Sequence, residues 1–180
     1  MNYCNIKRFD IANGPGIRLS LFVSGCPYHC PGCFNQSTWD YNSGQNFTED
    51  TFNFILEEIK KPFYKGFSIL GGEPFEQSMQ DTLLLIRLCK EIKKVRPDIS
   101  IWAWTGGDYN IIKKDPIKKM LLQELEVLVD GRFIESKKDL RLKYCGSTNQ
   151  RVIDVQETRK VNKRRTLGQN YKLIPWEDKE

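Results

Sequence analysis

Four short apolar runs, at residues 17–23, 67–70, 99–104 and 125–129, each end in cysteine, glycine, threonine or acidic residues, and helical periodicity fills the intervals. In the first run Ile17, Leu19, Leu21 and Val23 recur at every second position, the period of a strand. Thr48 precedes an acidic first turn, and Phe52, Ile55, Leu56 and Ile59 then follow at helical spacing until Pro62. Leu85, Leu88, Cys89, Ile92 and Val95 stripe a second helix that ends before Pro97, and residues 116–123 suit a third. Strand and helix in turn imply parallel strands joined by crossovers. The predicted architecture is therefore α/β, an α/β sheet or an open barrel. A closed eight-unit barrel takes about 250 residues, so 180 allow at most a partial, open (β/α) barrel of four to five strands. A last strand is expected at residues 151–155, and the domain is bounded at 1–156. Beyond Glu157 the chain turns basic and loses periodicity, which makes 157–180 a tail, with Tyr171, Leu173, Ile174 and Trp176 as anchors for docking it back.

Hydrophobic residues make up 39% and no apolar stretch is long enough to cross a bilayer, so a soluble globular protein with no membrane partner is expected. The N-terminal residues, Met1 to Lys7, lack an apolar signal core, which argues for the cytoplasm. There, six cysteines serve as thiols or metal ligands rather than disulfides. The net charge of +5 is uneven: residues 132–165 hold eleven Lys or Arg against four Asp or Glu. Arg159, Lys160, Lys163, Arg164 and Arg165 form a run that suits an acidic partner, although a solvated end is the simpler reading and nucleic acid is not expected.

Three cysteines, Cys26, Cys30 and Cys33, fall within eight residues directly after the first strand. A four-iron four-sulfur cluster that only carries electrons takes four thiolates, whereas three leave one iron open to bind a ligand through nitrogen and oxygen. The rival is zinc, which would complete a tetrahedron with Cys4, Cys145 or His29. His29 lies next to Cys30, where its side chain points away from a metal held by its neighbour, and no second C-x-x-C pair exists.

The other groups at strand ends are Gly71-Gly72-Glu73-Pro74, Thr105-Gly106-Gly107 and Asp130-Gly131-Arg132. In parallel α/β folds such ends converge on one rim, where ligands bind. Taken singly they are turn residues with a surface ion pair. Taken together, Gly72 and Glu73 could accept hydrogen bonds from an ammonium group and Arg132 could clamp a carboxylate. Asp130 with the Thr105 hydroxyl would meet the polar groups of a sulfonium-bearing ligand or a small cation. Cys89 falls on a helix stripe and belongs in the core, at least one of Trp102 and Trp104 packs inside, and Cys4 and Cys145 stay unassigned.

The chain resembles the radical S-adenosylmethionine superfamily, and within it the activating proteins of anaerobic (class III) ribonucleotide reductase. The resemblance rests on Asn13-Gly14-Pro15-Gly16-Ile17-Arg18, the three-cysteine stretch with Phe34-Asn35 and Ser37-Thr38-Trp39, the strand-end groups above, and Gly146-Ser147-Thr148-Asn149-Gln150-Arg151. It implies that Cys26, Cys30 and Cys33 hold a 4Fe-4S cluster whose open iron chelates S-adenosylmethionine. Gly72 and Glu73 would receive the amino group, Arg132 the carboxylate, and the backbone around Gly32, Cys33 and Phe34 the adenosyl portion. It further implies an activase that makes a 5′-deoxyadenosyl radical and, with it, a glycyl radical on the large subunit of the reductase. Reduced flavodoxin or a ferredoxin-type donor would supply the electron. No general base is needed, in keeping with a single histidine. Gly107 departs from the aromatic expected after Thr-Gly, and the tail is longer than usual. The alternatives are an activator of another glycyl-radical enzyme such as pyruvate formate-lyase, and a non-catalytic metal or electron-transfer protein.

Overall fold

A computed structural model describes residues 1–163 and 171–178, so Arg164 and Arg165 of the basic run lie outside the described residues. The first element, β1 (Asn2–Asp10), pairs antiparallel with β2 (Ile17–Val23). After the cysteine loop come the two-residue β3 (Gln45–Asn46) and α1 (Glu49–Ile59). Then follow β4 (Tyr64–Gly71), α2 (Met79–Val95), β5 (Ser100–Trp104), the one-turn α3 (Tyr109–Ile112) and α4 (Pro116–Gln123). The chain closes with β6 (Val127–Asp130), β7 (Arg151–Asp154) and α5 (Val155–Lys163).

The strands form one seven-stranded sheet in the order β3-β1-β2-β4-β5-β6-β7. The middle four run parallel, as the alternation of strand and helix requires, while β1, β3 and β7 are antiparallel additions. The sheet is mixed and not closed: β3 and β7 are its end strands, and the outer side of β7 is bridged by Ile174 to Trp176.

Each helix starts where side-chain chemistry permits. The Thr48 hydroxyl accepts from the Thr51 N–H and Ser78 accepts from Asp81 N–H. Asp115 caps α4 through the N–H groups of Ile117 and Lys118, with Pro116 in the first turn, where its missing N–H costs nothing.

Alternation along the central strands separates two faces. Leu19, Leu21, Phe67, Ile69, Ile101, Ala103 and Leu128 are buried in one continuous core with Phe52, Leu85, Leu88, Cys89, Ile92 and Leu121 from the helices. Each of the leucine, isoleucine and phenylalanine side chains gains about 1.5–3 kcal/mol on leaving water. The opposite face carries Arg18, Ser20, Ser68 and Trp102, all buried. Arg18 donates to the hydroxyls of Ser68 (2.6 Å) and Ser100 (3.0 Å) and to the carbonyls of Phe67 and Ser100, tying three strands together. Burial pushes its guanidinium down to about 9, so it keeps its charge at neutral pH. Gly66 makes room for it: a Cβ there would lie 2.0 Å from Nη1.

Beyond Glu157 the structure differs from the sequence expectation. Helix α5 continues to Lys163, with Thr158 fully buried and its hydroxyl accepting from Ile174 N–H. The segment after it docks back, with Trp176 against Trp102 at 4.8 Å and Tyr144 at 5.8 Å between ring centroids. No helix among the described residues is long and apolar enough to cross a membrane.

Candidate active site

At the end of β2 the backbone of Gly25 and Cys26 is held by the carbonyls of Thr38 (2.8 Å) and Trp39 (2.9 Å), which fixes where the cysteine loop leaves the sheet. The end of β4 crosses it. Gly72 N–H donates to Val23 O and Glu73 N–H to Gly25 O, both at 2.7 Å. Two glycines make the crossing possible: a Cβ on Gly72 would stand 2.4 Å from Gly25 O, and one on Gly25, at φ +91°, would enter the Tyr41 ring. The cysteine loop and the Gly-Gly-Glu-Pro segment are thus one welded unit.

Cys26, Cys30 and Cys33 all line a single cavity of about 500 Å³, a size suited to a cofactor. Its walls are Phe22, Leu70 and Trp104 from three adjacent strand ends, together with Gly72, Glu73, Thr105, Phe34 and Gly131. The sequence-predicted residues are therefore largely brought together. Burial pushes the thiols of Cys26 and Cys30 up, so a metal must displace their protons. The His29 ring stacks on Trp39 at 4.7 Å instead of turning to the thiols. Among the described residues, no three His, Cys, Asp or Glu side chains converge on a point as a single ion would require. Three half-buried thiols lining one roomy cavity fit a cluster, whose ligands stand around a larger body.

Glu73 is 1% exposed. Its Oε1 accepts from the Thr105 hydroxyl (2.7 Å) and Phe75 N–H (3.0 Å), and its Oε2 from Gly106 N–H (2.7 Å). Burial pushes this carboxyl up to about 7, against the pull of those donors. A carboxylate offers about four acceptor positions, so three donors leave room for one more.

Asp130 is buried away from the cavity wall, accepting from Tyr109 N–H (2.8 Å) and paired with Arg151, whose Nε lies 2.8 Å from Oδ1. Arg132 is exposed, and its guanidinium carbon lies 4.4 Å from the centroid of Tyr28, a ring that lines the cavity and packs on Gly106. At Gly107 a Cβ would stand 3.1 Å from the Thr105 hydroxyl, 3.2 Å from Ile112 Cδ1 and 3.3 Å from the Tyr28 hydroxyl, so the position is crowded from three sides.

Sequence reasoning missed the far wall, made by Phe133, Leu142, Tyr144, Cys145 and Gln150. Gln150 staples it: Oε1 accepts from Gly146 N–H (2.8 Å) and Nε2 donates to Gly131 O (2.9 Å). Trp104 Nε1 donates to Tyr144 O (2.8 Å). The signal was the block from Gly146 to Arg151, which marks the segment without revealing where it folds. Cys145, unassigned from sequence, proves to line the same cavity as the three clustered cysteines.

Comparison with known proteins agrees with this geometry. The family model described as a 4Fe-4S single cluster domain matches residues 12–153, which defines the class as one built around a single such cluster. The activating protein of anaerobic ribonucleoside-triphosphate reductase from Vibrio cholerae is 40% identical over 152 residues, covering 83% of this chain and 96% of the relative. That of Escherichia coli K12 is 40% identical over 155 residues, 84% of this chain and 97% of the relative. That of Enterobacteria phage T4 is 35% identical over 153 residues, 84% of this chain and 93% of the relative. The chain belongs to the family of anaerobic ribonucleoside-triphosphate reductase-activating proteins.

Proposed function

We propose that this chain is a radical S-adenosylmethionine activase of an anaerobic ribonucleotide reductase, with its four parallel strands as the core of the partial barrel of that superfamily. The observation that carries the reading is that three thiols and one buried carboxylate line the same cavity. Cys26, Cys30 and Cys33 would hold the 4Fe-4S cluster. Held there, the cluster would supply the electron for reductive cleavage of S-adenosylmethionine to methionine and a 5′-deoxyadenosyl radical, which would abstract a hydrogen atom from a glycine of the reductase.

The protein's own part is binding, orientation and exclusion of water. The Gly72–Glu73 segment is fixed to the cysteine loop by two backbone hydrogen bonds. An amino group held there stays in register with the thiols. Glu73, oriented by Thr105 and Gly106, has one acceptor position left for an ammonium. A positive ligand would hold the carboxylate ionised and offset the cost of its burial. Arg132, stacked on Tyr28 beside the cavity, has no carboxylate partner among the described residues and would take the ligand's carboxylate. Asp130 would act at one remove, since it anchors Tyr109 and Arg151 and so sets the turn from which Arg132 departs. The backbone from Gly32 to Phe34 would meet the adenosyl portion. The physiological electron source would be a reduced flavodoxin or ferredoxin-type protein of the cytoplasm. We take residues 1–156 as the catalytic unit and 157–180 as its basic extension.

The test is anaerobic reconstitution with iron and sulfide, reduction, and addition of S-adenosylmethionine with the reductase. The expected result is 5′-deoxyadenosine together with the doublet of a glycyl radical in the electron paramagnetic resonance spectrum. Cluster-loaded protein that yields neither product contradicts the reading.

A further inference from the structure

On the helical side of the sheet, α3, α4 and α5 surround a second hollow of about 470 Å³. Five cations line it, Lys113, Lys114, Lys119, Arg159 and Lys163, and no carboxylate does. On other parts of the surface many cations are matched, Lys60 with Glu57, Arg87 with Glu49 and Lys94 with Glu91, and what sets the hollow apart is that five unmatched ones surround one concavity. Among the described residues none of these five has an acidic partner within ion-pair distance, although salt bridges are frequent over the rest of the molecule. Asp108, the carboxylate that acts on Lys113 through its field, is already held by Arg151 and Asn110 N–H.

The cations are also partly fixed. Arg159 Nη1 donates to Gln123 O (3.1 Å) and Gln156 Oε1 (3.3 Å), and its other N–H groups have no hydrogen-bond partner among the described residues. The Lys113 ammonium stands 3.1 Å from the centroid of Tyr171, whose hydroxyl meets that of buried Tyr109 at 3.0 Å. Burial first and the neighbouring Lys114 second push the Lys113 ammonium down. A compact anion seated among these cations would favour the charged form of Lys113.

We propose that this hollow binds a small polyphosphate anion, the triphosphate of a nucleotide being the prime case. Cations around a concavity suit several charges at one place, whereas an extended acidic strand asks for a row. The volume lies in the range of small-ligand sites. Tyr109 links the hollow to the rim of the candidate active site, because its ring forms a wall here while its N–H holds Asp130. The inference is independent of the cluster assignment.

Calorimetric titration of the full chain with sodium tripolyphosphate, with ATP and with a short polyglutamate peptide tests it at low and moderate salt. Tripolyphosphate and ATP are expected to bind, tighter for ATP if the nucleoside contributes and equally if the phosphate chain alone is read. Lys113→Glu with Lys119→Glu should weaken both by roughly tenfold or more. Arg8→Glu with Lys65→Glu, the same change of net charge at exposed positions outside the hollow, should change affinity less than about twofold. Should the first pair not fold by circular dichroism, Lys113→Gln with Lys119→Gln gives the same comparison with roughly a threefold loss. Three results overturn the proposal: no binding of either phosphate probe, equal weakening by both charge-reversal pairs, or binding of polyglutamate in preference to the phosphates.

Discussion

The two faces of the central sheet are built from the same strands, one residue out of step, and they do opposite things. Ile69 faces the helices and is fully buried among apolar side chains, whereas Leu70 beside it lines the cavity. Likewise Leu19 is core while Arg18 is the charged floor of the other face. On the helix side, tight packing leaves nothing free to react. On the other side, the charge and hydroxyls at the bottom give way to an open volume at the strand ends, where the thiols and Glu73 meet. The contrast teaches that the strands themselves turn one face to a packed core and the other, at their ends, to the main cavity, and that a register slip of one residue would destroy both.

The comparison breaks most severely at its buried charge. Arg18→Ala strips the donors from Ser68 and Ser100 and from two carbonyls, and should cost about 3–5 kcal/mol in urea unfolding. Neighbouring truncations sharpen it next. Ile69→Ala should cost about 2–5 kcal/mol, and Leu70→Ala only about 1–2 kcal/mol because one of its sides already faces the cavity. Equal losses would mean that the cavity is closed by packing.

Glu73→Gln is a pH experiment. The carboxyl at about 7, above its ordinary 4.5, means that the folded protein holds a proton the unfolded chain releases between those values. The group therefore lowers stability as pH rises from about 4.5 to about 7 and adds no further slope above that. Unfolding of the metal-free Glu73→Gln variant should lack this slope, and S-adenosylmethionine should bind it more weakly at pH 8. The smallest effect is expected at the exposed Arg132. Replacement by Ala should weaken S-adenosylmethionine binding about tenfold and replacement by Lys less, as read by calorimetry. Unchanged affinity would return Arg132 to a surface residue stacked on Tyr28.

The apolar side was legible because packing obeys periodicity. The alternation from Ile17 to Val23 and the helix cap at Thr48 coincide with β2 and α1. What escaped were elements without that pattern: β1, mostly half-exposed or exposed along its length, the two-residue β3, the single turn of α3, and the basic α5. At the site, cysteine spacing and glycine clusters announced the thiols and Glu73, because those residue types are demanded by the chemistry itself. Arg18 was quoted only as part of a block, since a buried arginine looks like any surface one until the strands close over it. Asp130 illustrates the converse: a carboxylate at the rim in sequence, it is spent in the fold on Arg151 and Tyr109.

The central claim is that the side of the sheet left unpacked holds a cluster on three thiols, and iron content tests it most directly. Protein reconstituted anaerobically should carry about four irons per chain and lose the cluster signal on Cys26→Ala, Cys30→Ala or Cys33→Ala. Cys89→Ala, a change in the apolar core, should keep the full iron content at some cost in stability. A Cys30→Ala protein that retained about four irons and the unaltered electron paramagnetic resonance spectrum would contradict the account.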